Sequence, residues 1–479
     1  MTNVFPIVAQ VFSQHSKTMI ASRRKLLRQR CPTLIWRASD KPRTISAYST
    51  LTAVPVPSVP KNELQNKVVR KTIDKNPKLF EVVTPIKVDV FKKYLKGHPN
   101  KPFIKSVLRG LKKGFWPWAD TSNPRFPITY DGSGLRSPIT GKDEARFIKQ
   151  QSKEEIKLGR WSKSFGKKLL PGMHSSPIGA IPKSTPGKYR FIMDQSRGPY
   201  SLNSTIPRHK VKVKLDTIHD LGKKLLAVRK KYPKRKIILW KSDVKSAYRL
   251  LPVHPHWQIK QAVFVNGQHH IDRCNTFGNR GGGWNWDSFI SLVNWIGTEK
   301  KGISDLLGYV DDNFSWEFEE NKRYYKPYKK LMPTKQVKLL KLWDELGIPH
   351  EEEKQLSGPS LRILGYDVDA NAMTVQVPNE KKDKVVKLLR SNAREGKLYT
   401  INDLQSVAGS VASALSLYPR LRPGLRVLFD EMAKQKPGAT KLRVTRHVAR
   451  SLSELASYLE RAPPVPIREQ KKSVRGRYY

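Results

Sequence analysis

The chain has 479 residues and carries 91 lysines and arginines against 40 acidic residues, a formal net charge of +51. Self-repulsion on that scale is tolerable only beside a polyanion, which points to a phosphate-rich partner; ribosomal, histone-like and membrane-surface proteins share such charge, so it names a partner class and no activity. Two cysteines, Cys31 and Cys274, exclude a disulfide framework and a cysteine-based zinc site, and with no apolar run of membrane-spanning length a soluble intracellular protein is expected.

The first acidic residue is Asp40, preceded by Lys17, Arg23, Arg24, Lys25, Arg28, Arg30 and Arg37 among serines and apolar residues. A basic arm and an organellar transit peptide share that pattern, so nucleus, cytoplasm and mitochondrion all stay open. Residues 41–75 are rich in Pro, Ser, Thr and Lys and read as a linker, which makes 1–75 a largely disordered basic arm. Residues 76–165 form an N-terminal extension, and its Phe115, Trp116 and Trp118 fit a core better than a base-stacking platform. In 177–194 two β-like runs flank Pro186-Gly187, which predicts a basic hairpin. Lys236 to Asp243 has the apolar character of a buried strand. Ser304 to Val310 and Asn313 to Phe318 read as strands joined by an Asp311-Asp312 turn. Lys335 to Leu346 places Leu339, Leu342 and Leu346 at helical spacing, with Gly347 as the C-cap. Leu361 to Val377 alternates like a strand pair. Helices come next: one with Val385, Val386, Leu388 and Leu389 ending near Gly396, and one capped by Thr400 and Asp403 and broken by Pro419 and Pro423. A last helix spans roughly 444–460.

Three carboxylates stand out in a chain poor in acid. Asp243 ends an apolar strand and Asp311-Asp312 sits at a hairpin bend. An Asp-Asp bend alone is ordinary turn chemistry. If the strands are neighbours in one sheet, three anions converge, and anions at close quarters need cations. Nucleotide addition uses that arrangement, because an in-line displacement at phosphorus is assisted by two hard cations on the order of 3.5–4 Å apart, held by carboxylates at strand ends.

Tyr309-Val310-Asp311-Asp312 resembles the Tyr-X-Asp-Asp box of reverse transcriptases, and Asp243-Val244-Lys245-Ser246-Ala247-Tyr248 resembles their first palm motif, Asp-X-X-X-Ala-aromatic. The run from Arg249 to His254 is similar to the segment just after that motif in retroelements. The resemblance implies RNA-directed DNA polymerase activity with two Mg2+ (or Mn2+) ions: Asp243 bridging both, Asp311 on the catalytic one, Asp312 chiefly in an outer role. It implies a steric gate at Tyr248 beneath the incoming sugar, where an extra hydroxyl overpacks by about 1–3 kcal/mol. Lys183 and Arg190 match the fingers residues that grip the triphosphate; a basic hairpin on template backbone is the alternative. Phe277-Gly278-Asn279-Arg280-Gly281-Gly282-Gly283 stands where the second palm motif contacts the nucleotide through Phe277 and Gly278, with Gly282-Gly283 replacing the usual Ala-Pro. Lys354, after Gly347-Ile348-Pro349, is similar to the lysine that protonates pyrophosphate; a solvated charge cluster with Glu351, Glu352 and Glu353 is the other reading. Leu364-Gly365-Tyr366 resembles the primer-grip turn. The run from Leu361 to Val375 is similar to that of retrotransposons encoding a tyrosine recombinase and of pararetroviruses.

Spanning roughly 170–435 of the sequence, the resemblance implies an α/β (α+β) right-hand polymerase. Its fingers would be 166–235, its palm (an antiparallel sheet backed by helices) 236–375, its helical thumb 376–435, with a connection helix and basic tail over 436–479. The implied partners are an RNA template, a DNA primer and product, and deoxynucleoside triphosphates, with no membrane. No ribonuclease H, protease or integrase motif is visible. Two other functions stay open. One is a nucleic-acid-binding protein on a polymerase fold without synthesis, which the glycine-rich second motif favours. The other is an RNA-dependent RNA polymerase, against which Tyr248 and the absence of Gly-Asp-Asp both argue.

Overall fold

The strand Ile237–Asp243 forms where its apolar run predicts, with Ile237, Ile238, Leu239 and Trp240 buried. It lies beside Asp312–Phe318, which pairs antiparallel with Leu307–Tyr309. Tyr309 faces Asp312 across that hairpin, so the two turn residues are Val310 and Asp311, not Asp311 and Asp312 as expected. Burial sets the register: Leu307 opposes Phe314 and both are fully buried, which a one-residue slip would undo. The same pairing shortens the first strand from the expected Ser304 start.

This structure is a computed structural model that describes residues 44–135, 141–183, 187–435 and 439–468. The basic arm with its transit-peptide pattern, Cys31, residues 184–186 of the expected Pro-Gly turn and the tail from residue 469 lie outside the described residues. Over the described residues the chain forms two compact units, one of 44–217 and 238–357, the other of 218–237 and 358–468. The unit boundaries at 217/218, 237/238 and 357/358 fall inside the expected fingers and palm ranges, and the expected thumb range, 376–435, lies whole within the second unit.

In the first unit the helices Gly282–Glu299 and Thr334–Leu346 share one core with that sheet, through Trp240, Val244, Trp286, Phe289, Leu339 and Trp343. Gly347, at φ 75°, ends the second helix as its position predicts. Four short strands make another sheet: Tyr130–Asp131, His174–Ser175, Ala262–Val265 and Gln268–Ile271. Hairpins form from Ile178–Pro182 with Tyr189–Met193, as expected, and from Lys322–Tyr325 with Lys330–Pro333. The expected linker does not hold over residues 44–75. Helices form at Ile45–Tyr48, Lys61–Gln65 and Lys67–Lys75, and Ala47, Val56 and Val69 are buried. Phe115 and Trp116 are core residues.

The second unit holds strands Ser360–Ile363, Tyr366–Asp369 and Thr374–Gln376, one more than the expected pair, with Val465–Pro466 added at the edge. Helices Asn379–Asn392, Ile401–Ala414, Arg422–Ala433 and Arg446–Glu460 complete it. The Thr400 hydroxyl caps the Asp403 N–H at 3.1 Å. Pro423 sits in the first turn of a helix, where its missing N–H costs nothing, so it starts a helix rather than breaking one. Among the described residues no helix is long and apolar enough to cross a membrane.

Candidate active site

Asp243, Asp311, Asp312, Lys183, Arg190, Tyr248, Phe277, Gly278 and Lys354 lie in the first unit and the expected primer-grip turn Leu364-Gly365-Tyr366 in the second. Within the first unit, backbone hydrogen bonds bring the two acidic elements together. The N–H of Val244, the residue after Asp243, donates to the Asp311 carbonyl at 3.3 Å, and Lys245 N–H donates to Pro349 at 2.9 Å. Ser246 then turns the chain through the left-handed region (φ 57°) into a short helical turn, Ala247–Leu250, which carries Tyr248. Val310 is also left-handed, at φ 56°. For a β-branched residue this is strained by about 1–2 kcal/mol. The Trp286 indole donates to the Val310 carbonyl at 2.6 Å and holds it there. Asp216 braces the same hairpin: its carboxylate accepts from Gly308 N–H at 2.9 Å and from Ile45 and Ser46 N–H at 2.7 and 3.2 Å.

The three carboxylates sense one another. Burial raises the Asp311 pKa and the Asp243 charge raises it further, against Lys354 and Arg190. Asp312 is pushed up to about 6, first by burial and then by Asp311 and Asp243, with Lys241 opposing. Lys354 Nζ lies 3.2 Å from Asp243 Oδ2, and Lys241 Nζ 3.8 Å from Asp312 Oδ1. Burial opposes the Lys354 charge, but Asp243, Glu351 and Asp311 outweigh it and its pKa is raised. Asp243 Oδ1 is buried with no hydrogen-bond partner.

Among the described residues no group of three or more His, Cys, Asp or Glu side chains has the spacing of a formed metal site. The donor chemistry does fit a hard divalent cation. The oxygens are all carboxylate, they repel one another, and Asp243 Oδ1 is an orphaned acceptor. In this geometry the ammonium groups of Lys354 and Lys241 stand where compensating charge is needed.

Tyr248 and Phe277 stack with centroids 5.0 Å apart and planes at 16°. The Arg190 guanidinium lies 5.9 Å from the Phe277 ring centre, and its charge reaches Asp311. Burial pushes the Tyr248 phenol up to about 12, with Asp311 and Asp287 adding to it. Gly278 adopts φ 119°, and a Cβ there would meet the Met193 carbonyl at 2.0 Å, so its glycine is required for passage against the hairpin strand. Lys183 is exposed, and among the described residues no contact joins its side chain to the carboxylates. The geometry thus gathers Asp243, Asp311, Asp312, Tyr248, Phe277, Arg190 and Lys354, and leaves Lys183 apart.

No family model matches this sequence, and no curated protein does. Among solved structures, the foamy viral protease-reverse transcriptase dRH in complex with ds DNA is 19% identical with TM-score 0.49, over 83% of this chain and 65% of that one. The foamy viral protease-reverse transcriptase with RNA/DNA hybrid is 18% identical with TM-score 0.47, over 83% of this chain and 50% of that one. The same protein with dsDNA gives 18% and 0.46, over 82% and 75%. This chain therefore spans less than two thirds of two of these three. Likeness at that level argues for no activity.

Several residues around the site escape sequence reasoning. Lys241 sits on the strand that ends in Asp243, so strand alternation could have found it. Asp216 and Glu155 could not have been found, because their partners at Gly308 and Arg249 are remote in sequence.

Proposed function

We propose that the chain is a template-directed polynucleotide polymerase of the reverse-transcriptase type, with a right-hand arrangement of fingers, palm and thumb, joining deoxynucleotides to a DNA primer on an RNA template. The observation that carries this reading is the hydrogen bond from Val244 N–H to the Asp311 carbonyl, which fastens a strand-end aspartate to an acidic hairpin turn. Beside it stand an aromatic pair and a basic hairpin arginine.

In this reading Asp243, Asp311 and Asp312 would hold two divalent cations, Asp243 being shared between them, Asp311 serving the catalytic one and Asp312 taking chiefly an outer role. Bound there, the ions supply Lewis-acid stabilisation of the attacking and leaving oxygens. The remaining work falls to this chain's own groups. Arg190, joined by Lys183 on the same hairpin, holds the triphosphate, which becomes more negative as the α-phosphorus is displaced. Tyr248, stacked on Phe277 and backed by Gly278, forms the floor under the sugar. Lys354 carries a proton beside Asp243 and gives it to the departing pyrophosphate.

A second reading, a nucleic-acid-binding protein that does not synthesise, is favoured by one observation: the Lys354 ammonium already pairs with Asp243 at 3.2 Å. Primer extension with Mg2+ or Mn2+ and either sugar type separates the readings. Deoxynucleotide incorporation that disappears in Asp311→Asn supports synthesis. Salt-sensitive binding without extension supports the second reading, and ribonucleotide preference would assign RNA synthesis instead.

A further inference from the structure

Tyr248 is flanked on two sides by residues to which the catalytic reading gives no role. On one side the next residue, Arg249, turns inward. Its Nη1 donates to both Asp272 carboxylate oxygens at 2.9 Å and to the Asn275 carbonyl at 3.3 Å, and its Nη2 donates to Glu155 Oε2 at 2.7 Å. Every side chain in this clamp is nearly buried, with exposures of 10%, 6% and 1% for Arg249, Glu155 and Asp272. The Trp161 indole and the Cys274 N–H each donate to Asp272 at 3.0 Å, and Gln151 donates to Glu155 at 2.8 Å. Burial opposes the Arg249 charge, but the two carboxylates outweigh it and hold the guanidinium ionised. The turn carrying Tyr248 is therefore tied to the helix Lys142–Lys157 of the N-terminal extension.

On the other side stands Gly283, in the first turn of the helix Gly282–Glu299. A Cβ at this position would lie 3.2 Å from the Tyr248 hydroxyl and within 4 Å of nothing else. Gly283 is not in the left-handed region that favours glycine, so the backbone gives no reason for it here. The phenol does. A glycine-rich departure from the second palm motif thus has a physical account: it leaves room for the Tyr248 hydroxyl.

We propose that Gly283 and the Glu155–Arg249–Asp272 clamp together fix the position of the Tyr248 phenol and so set the choice between deoxyribose and ribose. The inference rests on the polymerase reading and makes Glu155, Arg249, Asp272 and Gly283 positioning residues.

The test is steady-state primer extension by the full chain with matched deoxy- and ribonucleotides, alongside a denaturant double-mutant cycle that needs no activity. Gly283→Ala displaces the phenol by a few tenths of an ångström and is expected to raise KM for the deoxynucleotide about tenfold, with kcat changed less. Tyr248→Phe in the same chain removes the crowded oxygen and should cancel that rise, and the two substitutions should couple in unfolding. Glu155→Gln is expected to lower the ratio of deoxy- to ribonucleotide kcat/KM about tenfold, with partial recovery in Glu155→Asp. Independent effects of Gly283→Ala and Tyr248→Phe in both assays overturn the proposal. So does an unchanged sugar ratio in a folded Glu155→Gln chain. A wild-type chain that extends with neither sugar overturns the polymerase reading and the selectivity claim with it, while the unfolding cycle still reports on the Gly283–Tyr248 contact.

Discussion

Replacing Asp312 by asparagine removes one charge from three that repel one another. The Asp312 carboxyl is pushed up to about 6 in the folded chain from an ordinary 3.8, first by burial and then by Asp311 and Asp243. A shift of that size corresponds to about 3 kcal/mol of unfavourable free energy in the ionised form, at about 1.4 kcal/mol per unit. The Asp312 side chain keeps 26% of its exposure, and solvent screening reduces the expected figure to about 1–3 kcal/mol. The sign comes from proton binding: with its pKa raised on folding, the folded chain holds this proton more tightly than the unfolded one. Asp312 therefore subtracts stability as pH rises from about 4 to about 6, and its full cost is present above that. Asp312→Asn should match the wild type in stability at pH 4 and exceed it by about 1–3 kcal/mol at pH 7.5. Urea unfolding followed by tryptophan fluorescence, at pH 4, 5.5 and 7.5, measures this directly. Adding Mg2+ should raise wild-type stability by mass action and raise the Asp311→Asn chain far less. A variant less stable than the wild type at pH 7.5, or a difference that does not change with pH, refutes the picture of a repelling cluster awaiting cations.

Arg249→Met leaves Asp272 and Glu155 buried without their main counter-charge and should cost about 3–5 kcal/mol in urea unfolding, with part of the loss recovered by adding Asp272→Asn. Val310→Gly relieves a left-handed β-branched residue and should gain about 0.5–1 kcal/mol after the extra chain entropy of glycine, while primer extension falls because the turn holding Asp311 loosens. Asp216→Ala strips three N–H groups of their acceptor and should cost about 3 kcal/mol; hydrogen exchange should rise at Ile45, Ser46 and Gly308 more than in the helix Thr334–Leu346. Uniform exchange across the unit would show that Asp216 does not brace the hairpin.

Where a signal was local, the sequence was enough. The strand ending at Asp243 announces itself by four consecutive buried apolar residues, the helix before Gly347 by its leucine spacing, and the Thr400 cap by an oxygen that satisfies a free N–H three residues on. Proximity of Asp243 to Asp311 could be anticipated only through the resemblance, since nothing in either segment encodes the other. The hairpin register missed by one residue, because Val310 is an improbable turn residue until Trp286 and the Leu307–Phe314 pair are in place. Residues 44–75 read as a linker from their Pro, Ser and Lys content, yet Ala47, Val56 and Val69 are buried.

Local pattern by itself determined the strand that ends at Asp243 and the whereabouts of the acidic hairpin, while the charge and the resemblance supplied a polyanionic partner and a tyrosine under the sugar as expectations. Only the tertiary structure decided that Lys354 rests on Asp243, that Asp216 bolts the hairpin to the helix Ile45–Tyr48, and that Glu155 grips Arg249 from 94 residues away. The reason is physical. Propensity and capping act over a few residues and leave a trace in sequence, whereas a buried charge is stable only beside a partner that chain folding alone brings within hydrogen-bonding reach.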